Sequence, residues 1–104
     1  MSVRAAIIPS PNQPVEVRSF ADPSLEPGAA LLRTTYSEVC GTDVHLLHGQ
    51  LAGAPYPLLP GHINVGVLEA LNGPVTDAFG KPLHEGDTVT FLDVHETCNN
   101  CWFC

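Results

Sequence analysis

Basic residues are scarce in this chain of 104 residues: 4 Lys and Arg stand against 11 Asp and Glu, a formal charge of −7 at pH 7. Such a surface repels phosphate backbones, which argues against nucleic acid as a partner. The rest of the imbalance is what solvated surface carboxylates produce and carries no further meaning. No apolar run approaches the roughly 18 residues that a membrane span requires, and the chain opens on Met1-Ser2-Val3-Arg4 without a secretory h-region or cleavage site. A cytoplasmic, soluble protein with reduced thiols is the expectation. No G-x-G-x-x-G follows a strand-like run, so these residues hold no dinucleotide fingerprint. There is no internal repeat and no low-complexity tract, and the length fits one domain and not two.

What is abundant is punctuation. The 10 prolines and 9 glycines divide short apolar or alternating runs from one another. Val3 to Ile8 and Val15 to Phe20, separated by a Pro- and Asn-rich turn, predict an opening hairpin. Ala29 to Tyr36 predicts a third strand that leads to Cys40. Thr42 to His48 reads as a single helical turn with Thr42 or Asp43 as its N-cap and Gly49 as its stop. Residues 50 to 60, with three prolines, predict an ordered loop. His62 to Leu71 predicts a strand in which Gly66 marks a bulge or bend, and Gly86 to Leu92 another after a turn at Leu83-His84-Glu85. Five or six strands with almost no helix indicate a small β-barrel or sandwich.

Two clusters carry chemistry. Cys40 and His62 are a thiolate and an imidazole donor joined by a loop long enough to fold them onto one point, each beside a glycine (Gly41, Gly61) that allows a sharp turn. Between them stand Thr42, Asp43 and His45, a hydroxyl, a carboxylate and a second imidazole able to orient a ligand and move a proton. The second cluster is Cys98-x-x-Cys101-x-x-Cys104, three thiols at the spacing of a metal clamp. A thiolate-only zinc site needs four such ligands, so one is still owed beyond Cys104, and truncation is the simplest explanation. A disulfide framework, an iron–sulfur cluster and a redox-active C-x-x-C are weaker readings, lacking a secretory signal, a fourth cysteine and a βαβ setting respectively. His48, His84 and His95 have no partner pattern and read as surface histidines.

Taken in order, Cys40-Gly41-Thr42-Asp43-x-His45, Pro60-Gly61-His62-x-x-x-Gly66, Gly86-Asp87-x-Val89 and the terminal cysteine run resemble the N-terminal half of a zinc-dependent medium-chain alcohol dehydrogenase. The resemblance covers nearly the whole chain. It implies that residues 1–104 are the first part of a GroES-like, partly open β-barrel catalytic domain, with a structural-zinc lobe that begins at residue 98 and is cut off. The Rossmann domain that binds NAD(P) would follow. It further implies that Cys40 and His62 are two of three protein ligands of a catalytic Zn²⁺, and that Cys98, Cys101 and Cys104 begin the structural zinc site. Thr42 resembles the hydroxyl that relays the substrate proton, and His45 the outer histidine that passes it to solvent. Asp43 resembles the carboxylate that accepts a hydrogen bond from His62. The implied full-length protein is a homo-oligomer acting on a small alcohol, aldehyde or ketone. One position departs: where the family has Glu after the zinc histidine, this chain has Ile63. A zinc-knuckle binding module without catalysis is the alternative, with a zinc-less reductase third.

Overall fold

The computed structural model describes residues 2–91. Cys98, Cys101, Cys104 and His95 therefore lie outside the described residues, as does the end of the strand expected to run to Leu92. Within them the chain is mainly β: β1 (Ser2–Ile7), β2 (Glu16–Ala21), β3 (Ala30–Glu38), α1 (Gly41–Leu47), β4 (Ile63–Leu71) and β5 (Thr88–Thr90). β1 and β2 form the expected antiparallel hairpin, and β3, β4 and β5 form a separate antiparallel sheet in that order. Among the described residues the two sheets are open and do not close on each other as a barrel. No helix among the described residues is long and apolar enough to cross a membrane.

The β3–β4 ladder positions everything that follows. It pairs Ala30 with Leu71 at one end and Glu38 with Ile63 at the other, so the chain leaves the ladder two residues before Cys40 and enters it one residue after His62. The ladder slips twice, leaving Glu69 and Thr35 without direct partners. The bulge expected at Gly66 is thus displaced to Thr35 on the facing strand. Gly66 has its own reason to be glycine: a Cβ there would lie 2.3 Å from the Arg33 carbonyl oxygen. The bare backbone lets the two strands approach beside the bulge.

The 50–60 loop is ordered by its ends. Leu58 exchanges both backbone hydrogen bonds with Ile8 at the end of β1 (2.9 and 3.0 Å), and the Tyr56 hydroxyl donates to the Leu46 carbonyl of α1. Residues 75–83 make a small hairpin-like excursion that the sequence reading did not anticipate, with a bridge between Thr76 and Pro82. Asp77 Oδ1 organises its turn by accepting from the N–H groups of Phe79 and Lys81. Among the described residues the buried large apolar ones are Ile7, Ile8 and Leu68.

Candidate metal centre

Cys40 closes the extended run out of β3 (φ −117°, ψ 179°) and is itself the N-cap of α1. This corrects the expectation that Thr42 or Asp43 caps the helix. Asp43 instead occupies the third helical position, from which its Oδ2 reaches back to accept the Cys40 N–H at 3.0 Å, the returning half of a capping box. At the other end His48 is the C-cap and Gly49 follows in the left-handed conformation (φ 68°), the stop that was expected. The two glycines beside the donors differ. Gly61 has φ 91°, so the loop does turn sharply there, whereas Gly41 is an ordinary first helical residue with open space around it.

The two candidate donors converge. Cys40 Sγ lies 3.6 Å from His62 Nε2, across 22 residues of sequence. Zinc bonds of about 2.3 Å to sulfur and about 2.0–2.1 Å to nitrogen at a tetrahedral angle place such donors about 3.6 Å apart, so the pair fits a shared zinc ion. Asp43 completes a group of three whose ligand atoms all lie within 4.8 Å of one another. Among the described residues Cys40 has no disulfide partner.

Asp43 is the buried member, with 6% of its surface exposed. Its second oxygen, Oδ1, accepts the Gly61 N–H at 3.0 Å. One carboxylate therefore ties the backbone just before His62 to the backbone of Cys40. Burial pushes its carboxyl up, but the N–H groups of Cys40 and Gly61, with the nearby His62 imidazole adding to them, outweigh burial and hold it below its ordinary range. His62 Nδ1 stands 4.0 Å from Oδ1, longer than a hydrogen bond.

Thr42 is exposed and shares with His62 the wall of an open cleft of about 870 Å³. Leu46, Leu59 and Phe91 give that cleft an apolar side. His45 lies one turn beyond Thr42 on the same helix face and outside the three-residue cluster. Its Nδ1 is 2.5 Å from Gln50 Oε1, an oxygen that can only accept, so Nδ1 is the donor of this pair and Nε2 is the ring nitrogen outside it. Gln50 had no signal in the sequence: it lies past the helix stop, and the Gln50 N–H to His45 carbonyl bond (2.9 Å) brings it back. His48 and His84 are exposed, as expected.

With this geometry in place, comparison with known proteins decides the family. The model of the alcohol dehydrogenase GroES-like domain matches residues 26–104. The chain belongs to that family. It is 38% identical over 104 residues to 5-exo-hydroxycamphor dehydrogenase of Pseudomonas putida, covering 97% of this chain and 28% of that protein. It is 33% identical to an alcohol dehydrogenase of Geobacillus stearothermophilus, covering 98% and 29%. Among solved structures, an alcohol dehydrogenase of Thermotoga maritima superposes with a TM-score of 0.79 at 30% identity over 85% of this chain and 24% of the other. The alcohol dehydrogenase domain thus spans, in this chain, between a quarter and a third of the length of these relatives.

Proposed function

We propose that this chain is the N-terminal catalytic portion of a zinc-dependent oxidoreductase that moves hydride between an alcohol or carbonyl substrate and NAD(P). The observation that carries the proposal is the 3.6 Å approach of Cys40 Sγ to His62 Nε2, the spacing of two ligands on one zinc. Bound there, zinc supplies Lewis acidity to the substrate oxygen. Cys40 and His62 hold the metal, and a third protein ligand comes from beyond residue 104. Thr42, on the cleft wall beside His62, relays the substrate's hydroxyl proton, its Oγ1 accepting that proton as it gives up its own. His45, with Nδ1 occupied by Gln50, takes it on Nε2 and releases it to solvent. Leu46, Leu59 and Phe91 receive the apolar part of the substrate. Cys98, Cys101 and Cys104 contribute to a second, structural zinc, and NAD(P) is held by the Rossmann domain of the complete protein. That protein is cytoplasmic and a homo-oligomer.

Metal content and turnover test the reading together. The full-length protein is expected to carry two zinc ions per chain, and Cys40→Ser to lose one of them and all turnover with an unchanged circular dichroism spectrum. A C40S variant that keeps both ions or its activity overturns it. A single zinc in the wild type, released only on loss of the terminal cysteines, would favour the zinc-knuckle module.

A further inference from the structure

We infer that Gln50 is a positioning residue for His45, holding its imidazole in the tautomer that leaves Nε2 as the proton acceptor. This role rests on the proton relay proposed above and adds to it the side chain that decides which ring nitrogen takes part.

Gln50 is tied to His45 at two points. Its backbone N–H donates to the His45 carbonyl at 2.9 Å, and its side-chain Oε1 stands 2.5 Å from Nδ1 of the same histidine. The first bond fixes where the Gln50 side chain begins, and the second fixes the ring. An amide oxygen only accepts, so Nδ1 donates, and in the neutral imidazole a donating Nδ1 leaves the lone pair on Nε2. His45 is exposed, so without this contact its ring is free to turn and to carry its proton on either nitrogen.

The place of Gln50 is itself built into the fold. Gly49 reverses the chain in the left-handed conformation (φ 68°) and donates its N–H to the Leu46 carbonyl at 3.2 Å. The turn between β1 and β2 backs this stop. Asn12 donates its N–H to the Leu47 carbonyl at 2.7 Å, and a Cβ on Gly49 would lie 2.7 Å from the Pro11 Cβ. Further along the loop, the Tyr56 hydroxyl holds the chain to the Leu46 carbonyl. Gln50 thus meets His45 from the C-terminal end of α1, whereas Thr42 lies in its first turn. The two ring nitrogens receive different tasks: Nδ1 anchors, and Nε2 exchanges the proton. A proton arriving at Nε2 makes an imidazolium whose Nδ1–H stays on Gln50. Loss of the Nε2 proton to solvent then restores the starting tautomer, with no net change in the ring.

The test uses the full-length, zinc-loaded protein with isotopically labelled histidines. At about pH 9, where an imidazole is neutral, the ring-nitrogen shifts of His45, assigned by their loss in His45→Ala, are expected to show the Nδ1–H form. Gln50→Leu removes the acceptor at an exposed position and keeps the backbone bond. It is expected to lower the ratio of Nδ1–H to Nε2–H about fivefold, the weight of one net hydrogen bond, and kcat about threefold with KM unchanged. Gln50→Glu puts an acceptor back at that place and is expected to recover both quantities, which a merely structural role for Gln50 would not produce. An Nε2–H form in the wild type, a wild-type value of either quantity in Q50L, or a Q50E variant that behaves like Q50L overturns the inference. His45→Ala separates it from the relay. If H45A turns over like the wild type, the relay falls; if H45A is slowed and Q50L is not, only the role of Gln50 falls.

Discussion

Asp43 does more at this centre than its neighbour relation to His62 suggests. Its two oxygens accept the N–H groups of Cys40 and Gly61, so the carboxylate fixes the spacing between the two segments that carry the donors. Asp43→Ala leaves both N–H groups without their partner, and is expected to destabilise the metal-free protein by about 2–3 kcal/mol, read from urea midpoints. The pH dependence follows from the lowered pKa. A carboxyl held below its ordinary value in the folded state contributes stability that is complete above about pH 4 and is lost as pH falls through the folded value. Unfolding midpoints of the metal-free wild type should therefore drop below about pH 4, and Asp43→Asn should flatten that acid limb. That Cys40 and His62 belong together, with Asp43 between them, was legible because each donor stands beside a glycine, Gly41 or Gly61, in a short motif of its own. The direction of Asp43's bonds was not, because it depends on where the Gly61 N–H points after the loop returns.

At the scale of elements, glycines that look alike in the sequence have opposite tolerances. Gly66 faces the Arg33 carbonyl so closely that an added Cβ would sit 2.3 Å from its oxygen, a backbone atom that cannot swing aside. Gly66→Ala should cost about 3 kcal/mol by forcing β3 and β4 apart. Gly41 begins α1 with nothing within 4 Å of a Cβ and no left-handed backbone, so Gly41→Ala should be neutral or stabilise by roughly 0.5 kcal/mol. Thermal unfolding of the two variants in the same background checks the contrast. The strands and α1 were readable to within a few residues, since alternation and Gly or Pro punctuation are local signals. The cap was placed late because cysteine is not among the residues expected there, and the irregularity beside Gly66 falls on Thr35 of the facing strand, with a second at Glu69 of Gly66's own strand, because register is a property of the pair.

At the scale of the whole molecule, buried apolar matter is thin among the described residues. Three apolar residues there are buried while twelve large ones, among them Val17, Tyr36, Val39 and Phe79, are exposed, which leaves apolar surface for further polypeptide to cover. Residues 1–104 expressed alone should therefore bind a dye such as ANS strongly, and the full-length protein far less. Equal dye binding by the two would mean that the remaining polypeptide covers none of this surface. The sequence by itself determined the inventory: short strands cut by proline and glycine, one short helix, and thiolate, imidazole, hydroxyl and carboxylate donors in a fixed order, because residue chemistry and alternation act over a few residues. Only the tertiary structure decided that Cys40 and His62 stand 3.6 Å apart and that Asp43 ties their backbones together. Those relations are set by the antiparallel register of β3 against β4 and by the Ile8–Leu58 bridge that returns the loop, and pairing of this kind joins residues too far apart in the chain for any local pattern to encode.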